Sequence, residues 1–269
     1  STPPAHRGRA FGFHRAMDHL GAAIGPVLAG ALVWWFGLPG LLFLVIPAII
    51  MVFVLKILLP GGIAAAKKAH AVPEAKPADV PSRWPFVILM VASILRAWVV
   101  FAAITYLPMY LVSQGYDLVT ASMIMTLMLL AGVAGQVAGG RISDQFGRKE
   151  FMVFTLAGAI PFFCLFIVTS GILAIASLLF FGFCLWATFS VAVAMGHELL
   201  PQNVGLASGI MLGFAIGFGG LGVAVNGMIA DHYSLAAAIG TIPLPLAAAV
   251  ILMALLPYPW KSLQRHLNK

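Results

Sequence analysis

The chain has 269 residues, 62% of them hydrophobic and only 9% charged. Soluble domains carry about a quarter charged residues, so water is excluded as the solvent for most of this surface. The net charge of +7 does not describe a nucleic-acid binder, because Lys and Arg sit between apolar runs rather than along one stripe.

A helix crosses a hydrocarbon core of ~30 Å with ~20 apolar residues. Eight stretches meet that length: Phe11–Phe36, Leu38–Leu59, Trp84–Val112, Val119–Gly139, Phe151–Ser170, Ile172–Met195, Val204–Ala230 and Leu235–Leu256. They are solidly apolar rather than alternating, which predicts helices and not strands. The expected fold is therefore an all-α polytopic membrane protein. The chain starts at Ser1 with no signal peptide, and Ser1 to Arg9 reads as the tail of a loop, so a fragment or processed product is expected.

In chain order, the first span carries Asp18, ~10 Å deep at ~1.5 Å per residue. His14 and Arg15 share its helix face. A buried carboxylate beside a titratable His is a candidate proton carrier, and a local ion pair at the rim is the plainer reading. Further along, Gly21, Gly25 and Gly30 permit close helix approach, and Pro26 permits a bend. Gly61 to Arg83 contains Pro73, Pro77 and Pro81 among Ala and Lys, the composition of a solvated linker.

The third span holds Arg96 ~18 Å deep, counted at ~1.5 Å per residue. A mid-bilayer Arg costs ~2.5–3.5 kcal/mol on insertion scales. It is expected to face the pathway, binding an anionic group or tuning a carboxylate, or else to rest on backbone carbonyls. Trp98, Phe101 and Thr105 share one face and line an apolar pocket or simply pack. In the fourth span Gly132, Gly135 and Gly139 mark close helix contact. The charged run Gly140 to Lys149 then reads as a short loop.

His197 and Glu198 end the sixth span before Pro201, so Glu198 is expected to cap the next helix or pair with an Arg. The run Gly213 to Gly222 is too glycine-rich for a rigid helix, at about 1 kcal/mol per Gly against Ala. It predicts a span that bends or lets a neighbour slide. Gln136 and Asn226 read as interhelical hydrogen bonds. Cys164 and Cys184 lie inside apolar runs as small hydrophobes, with no disulfide framework and no zinc spacing. No metal, cofactor or catalytic constellation is predicted, so an enzyme is not expected.

With eight spans the basic loops all share one side, and the opposite loops carry only Asp117, Asp231 and His232. Positive-inside bias places both termini in the cytoplasm. The expected organisation is a two-span unit (1–60), a cytoplasmic linker (61–83), a six-helix bundle (84–257) and a cytoplasmic tail (258–269).

Gly140, Asp144, Gly147, Arg148 and Lys149 match the pattern G-x-x-x-D-x-x-G-R-K/R, and on it the chain resembles the major facilitator superfamily of transporters. Gly21-Ala-Ala-Ile-Gly25-Pro26-Val-Leu-Ala-Gly30 resembles the fifth-helix signature of its proton-coupled exporters, with Ala29 where that signature has Gly. Glu198-Leu-Leu-Pro201, Ser208-Gly209, Gly213 to Gly222 and Ile229 to His232 resemble the fosmidomycin-resistance type of drug exporter. The resemblance implies two helical bundles around a central cavity, here without the first four spans. It implies that Asp144 and Arg148 belong to a gating latch against the start of the first span, and that a basic residue near Arg96 serves transport.

The function these residues imply is proton-driven export of small drug-like or anionic compounds by alternating access, from a bacterial inner membrane. Candidate pathway residues are Arg96, Asp18, Glu198 and Trp98. The implied partners are a small-molecule substrate, protons, the lipid bilayer and the missing N-terminal helices, and not nucleic acid. The alternatives are a metabolite importer on the same fold and a truncated, non-transporting membrane subunit.

Overall fold

A computed structural model describes residues 35–58 and 84–258, together with Gly25, Leu28 and Leu32. Asp18, Gly21, Pro26, Gly30, the linker 61–83 and the tail beyond Tyr258 lie outside the described residues. The chain divides into two compact units, Ile24–Pro81 and Ser1–Ala23 with Ser82–Lys269.

In the first unit a 3-10 turn, Leu38–Leu44, runs into helix α1, Val45–Leu58. Phe36 and Phe43 meet edge to face at 5.2 Å beside that turn. A Cβ placed on Gly25 would meet open space.

The second unit holds α2 (Trp84–Ser113), α3 (Leu118–Phe146), α4 (Arg148–Val168), α5 (Gly171–Leu199), α6 (Val204–His232) and α7 (Leu235–Leu255). These six are the helices, among the described residues, that are long and apolar enough to cross a membrane. The two spans expected before residue 60 are not among them. Large apolar side chains cover the outside of the bundle, with Ile172 87%, Val168 78% and Phe154 72% exposed. Such a surface calls for lipid around it.

The charged run of residues 140–149 is not the loop the sequence suggested. Helix α3 continues through Gly140, Arg141 and Asp144 to Phe146, and only Gly147 separates it from α4. Hydropathy reports where lipid ends, whereas a helix ends where its hydrogen bonding is interrupted. Nothing between Gly140 and Phe146 interrupts it. Gly147 does, at φ 113°, a left-handed value that L side chains resist. At the far end Asp117 caps α3, accepting from the Val119 and Thr120 amides at 3.0 Å each. The Thr120 hydroxyl and these amides hold the Asp117 carboxyl below the usual carboxylate range.

Helices α3 and α5 are in backbone contact. A Cβ on Gly135 or Gly139 would collide with the carbonyl oxygen of Phe183 or Ala187, and one on Gly132 would press on the Trp186 ring at 3.0 Å. This glycine stripe makes the close approach its spacing predicts. Between α4 and α5 the rings of Phe163 and Phe181 lie 4.7 Å apart. Helix α7 closes the bundle against α2 and α4.

Helix α6 has two unlike halves. Its C-terminal half is fastened to α2: Gly219 meets Ala97, Gly222 meets the Trp98 ring, and Tyr106 donates to the Val223 carbonyl at 2.9 Å. Asn226 accepts from the Trp98 indole at 2.6 Å and donates to the Ala238 carbonyl and the Thr241 hydroxyl. Its N-terminal half passes through a wide π turn, Ile210–Phe214, and a Cβ at Gly205, Gly209, Gly213 or Gly217 would meet open space. The glycine run thus combines tight packing, at Gly219 and Gly222, with a loosely packed bend before it. We expect Asn226→Leu to strand the Trp98 indole and cost ~1–2 kcal/mol, since each interhelical bond averages ~0.6 kcal/mol. Thermal unfolding in detergent measures this, and Trp98→Phe in the same background should restore part of the loss.

Candidate functional site

Four helix junctions meet at the basic end of the bundle: α3–α4, the end of α5, the start of α6 and the end of α7. Arg148, the first residue of α4, reaches back over Gly147 to Asp144 at 3.3 Å. It also reaches across to Glu198 near the end of α5, with Nε 2.9 Å from Oε1. Tyr258, just beyond α7, donates its hydroxyl to the other Glu198 oxygen. Burial and then the Glu198 carboxylate push the Tyr258 hydroxyl well above its usual range, so it stays a donor at physiological pH.

Lys149 is 3% exposed and donates to the Leu256 carbonyl at 2.6 Å, a cation at the C-terminus of α7 where the helix dipole favours it. Glu150 is buried in the first turn of α4, where the dipole favours an anion. His197 Nε2 bonds the Ser208 hydroxyl at 2.7 Å, joining the end of α5 to the loose half of α6.

The side chains of Arg148, Asp144 and Glu198 are 25%, 62% and 42% exposed. At that exposure each ion pair contributes under about 1 kcal/mol. The network thus joins helix ends through contacts that are individually weak.

Of the residues singled out in the sequence, Asp144, Gly147, Arg148, Lys149 and Glu198 come together here, and Gly140 lies one turn before Asp144 on α3. Glu198 pairs with an Arg and does not cap the next helix, whose start at Asn203 has no side-chain cap. The contacts Lys149–Leu256, Tyr258–Glu198 and His197–Ser208 were not visible in the sequence. They join positions 107, 60 and 11 residues apart, and no short-range pattern encodes them.

Arg96 and Trp98 lie away from this network, midway along α2. Trp98 is engaged by Asn226 and Gly222. Arg96 is 4% exposed, and its guanidinium carbon sits 5.0 Å over the centroid of the Phe189 ring. Among the described residues no His, Cys, Asp or Glu cluster of metal-binding size occurs.

Ser208→Ala removes the side-chain tie on the bending half of α6. We expect a cysteine placed at Leu206 to react several-fold faster with a soluble maleimide in that variant, and overall melting to shift by less than the effect of Asn226→Leu.

A model of the Major Facilitator Superfamily matches residues 1–221 and 120–269. The chain is 30% identical over 226 residues to the fosmidomycin resistance protein of Escherichia coli K12, covering 81% of this chain and 55% of that protein. It is 27% identical over 277 residues to a probable 4-methylmuconolactone transporter of Cupriavidus pinatubonensis, covering 94% of this chain and 62% of the relative. The chain thus spans about half the length of the curated relatives it matches. A crystal structure of the major facilitator superfamily transporter FucP, in the outward conformation, superposes with a TM-score of 0.58 at 16% identity, covering 65% of this chain and 43% of that one. Six membrane-length helices, the Gly140–Lys149 motif at the α3–α4 junction and the family match over the length of the chain have one reading: this chain belongs to the major facilitator superfamily.

Proposed function

We propose that the chain works in secondary active transport, exporting small drug-like or anionic compounds against protons by alternating access. The observation that carries the reading is the Asp144–Arg148–Glu198–Tyr258 network. It holds helix ends together at the basic end of the bundle, beside the Gly140–Lys149 motif of the family, with bonds weak enough to exchange. The direction and cargo draw on two further supports: the Gly25-Pro26 segment that resembles proton-coupled exporters, and the relative named for fosmidomycin resistance. The basic end, with Arg141, Arg148 and Lys149, faces the cytoplasm by positive-inside bias. In this reading 1–60 contributes two helices of an N-terminal bundle, 61–83 links it, and 84–257 is the C-terminal bundle. Asp18, Arg96, Glu198 and Trp98 are the candidate pathway residues, and the segment before the first span supplies the partner of Asp144.

The test is proton-linked flux in everted membrane vesicles carrying this chain, alone and together with four preceding spans from a relative. Accumulation driven by an inward-acid gradient supports export. A second reading, uptake of a metabolite on the same fold, is favoured by the 4-methylmuconolactone relative, and flux in the opposite sense would establish it. Asp144→Asn, at equal expression, is expected to lower turnover by up to about fivefold by freeing Arg148 from one of its two carboxylates. Wild-type turnover would remove Asp144 from the gate.

A further inference from the structure

Among the described residues, Arg96 is the one charge buried away from the helix ends, since Lys149 and Glu150 are buried in the first turn of α4. The five carboxylates among the described residues, Asp117, Asp144, Glu150, Glu198 and Asp231, all sit at or near helix ends. Arg96 sits in the middle of α2, buried, with no hydrogen bond or ion pair among the described residues and its Nε without a partner. Its guanidinium lies over the face of Phe189. An arginine cannot relieve this state by losing its proton. A buried unpaired cation is strongly disfavoured, and it persists where an anion completes it in part of the working cycle.

Two further groups at the same level lack partners. Ser93, one turn before Arg96 on the same face of α2, is 3% exposed with its hydroxyl unbonded. Gln136 on α3 is 1% exposed with both side-chain amide atoms unbonded. Counted from the basic ends of their helices at ~1.5 Å per residue, Ser93, Gln136, Phe189 and Arg96 all lie ~14–18 Å deep, in one layer. The Ser190 hydroxyl, next to Phe189, points at the Gln136 carbonyl at 3.4 Å, so α2, α5 and α3 connect through this layer. Orphaned buried polar atoms are rare, and Ser93 and Gln136, at the depth of a cation with no partner among the described residues, form with it a donor set lacking its acceptor.

Resting on the transport reading above, we propose that Arg96, Ser93 and Gln136 form the binding site for an oxyanionic group, a carboxylate or an acidic phosphorus or sulfur group, on the transported compound. The guanidinium supplies the charge and two parallel N–H donors, which match an oxyanion's paired oxygens. The Ser93 hydroxyl and the Gln136 amide supply neutral donors, and the Phe189 ring holds the guanidinium in place. The preferred cargo is then a compound with one anionic head and an apolar body, and a neutral amide of the same shape is rejected.

The experiment uses the whole chain in nanodiscs, with benzoate as probe and benzamide as its neutral counterpart, read by intrinsic tryptophan fluorescence and by melting temperature. Benzoate should bind saturably and benzamide should not. Arg96→Gln should weaken benzoate about tenfold or more, and Arg96→Lys should retain part of the affinity. Ser93→Ala and Gln136→Leu should each weaken it ~3-fold or more. Without ligand, Arg96→Met should melt at or above the wild-type temperature, since it removes an uncompensated charge. Equal binding of benzoate and benzamide, benzoate affinity unchanged in Arg96→Gln, or a lowered melting temperature in Arg96→Met would each overturn the site. Flux is measured separately: Arg96-dependent benzoate binding without proton-linked transport leaves the site standing and removes the export reading.

Discussion

Gly135→Leu will prevent the bundle from closing, and Gly135→Ala will already weaken it measurably. The Cβ of either residue falls on the carbonyl oxygen of Phe183, a backbone atom of α5 that cannot turn aside as a side chain can. Overpacking of a tight interface costs ~1–3 kcal/mol, more when backbone must move. Against this, Ala gains about 1 kcal/mol over Gly in helix propensity. Steric cost wins, with a net loss of ~2 kcal/mol for Ala and more for Leu. Gly158 supplies the control, because a Cβ there meets open space. Gly158→Ala should be neutral or stabilising by up to about 1 kcal/mol. Reversible unfolding in mixed micelles measures both. Equal effects at Gly135 and Gly158 would mean that α3 and α5 are not in backbone contact.

Breaking the Arg148–Glu198 pair should change transport far more than stability. Both partners are partly exposed, so Arg148→Gln and Glu198→Gln should each cost under about 1 kcal/mol of stability. If the pair biases one arrangement of the helix ends, the same energy enters the equilibrium between the two open states, and a shift of 1.4 kcal/mol is a tenfold change in population. Turnover in vesicles should fall by up to about fivefold in each single variant. The double variant should lose little more than either single one, because the two residues act through one bond. Tyr258→Phe, which leaves the ion pair intact and removes the hydroxyl donor to Glu198, should have a smaller effect in the same direction. Additive losses in the double variant would show that Arg148 and Glu198 act separately.

The membrane character, the helical class and the family motif could all be read from the chain. Each rests on local information: the length of an apolar run, the period of a helix and the spacing of charges about one glycine. The stripe Gly132, Gly135, Gly139 was legible for the same reason, since only small residues on one face allow a neighbouring backbone to approach. The six helices after residue 84 begin and end within a few residues of expectation at most boundaries. The exception is α3, which runs seven residues beyond its expected end at Gly139. There the apolar signal stops and the helix does not.

The polar network was half legible. Asp144, Arg148 and Lys149 announce themselves by charge density, and Glu198 by standing alone at a helix end. Their partners do not. Lys149 on the Leu256 carbonyl, Tyr258 on Glu198 and His197 on Ser208 exist because α4, α5, α6 and α7 converge at one end of the bundle. Trp98 shows the same limit from the other side. In the sequence it is one aromatic on a mixed face, and packing decides that its indole meets Asn226 and its ring fills the space over Gly222. Sequence by itself determined what each segment dissolves in and which residues carry charge into it, because transfer from water to lipid is a property of a segment taken alone. Tertiary structure decided which charges find partners and which, like Arg96, find none among the described residues, because a hydrogen bond needs two groups within ~3 Å and helix packing alone sets that distance.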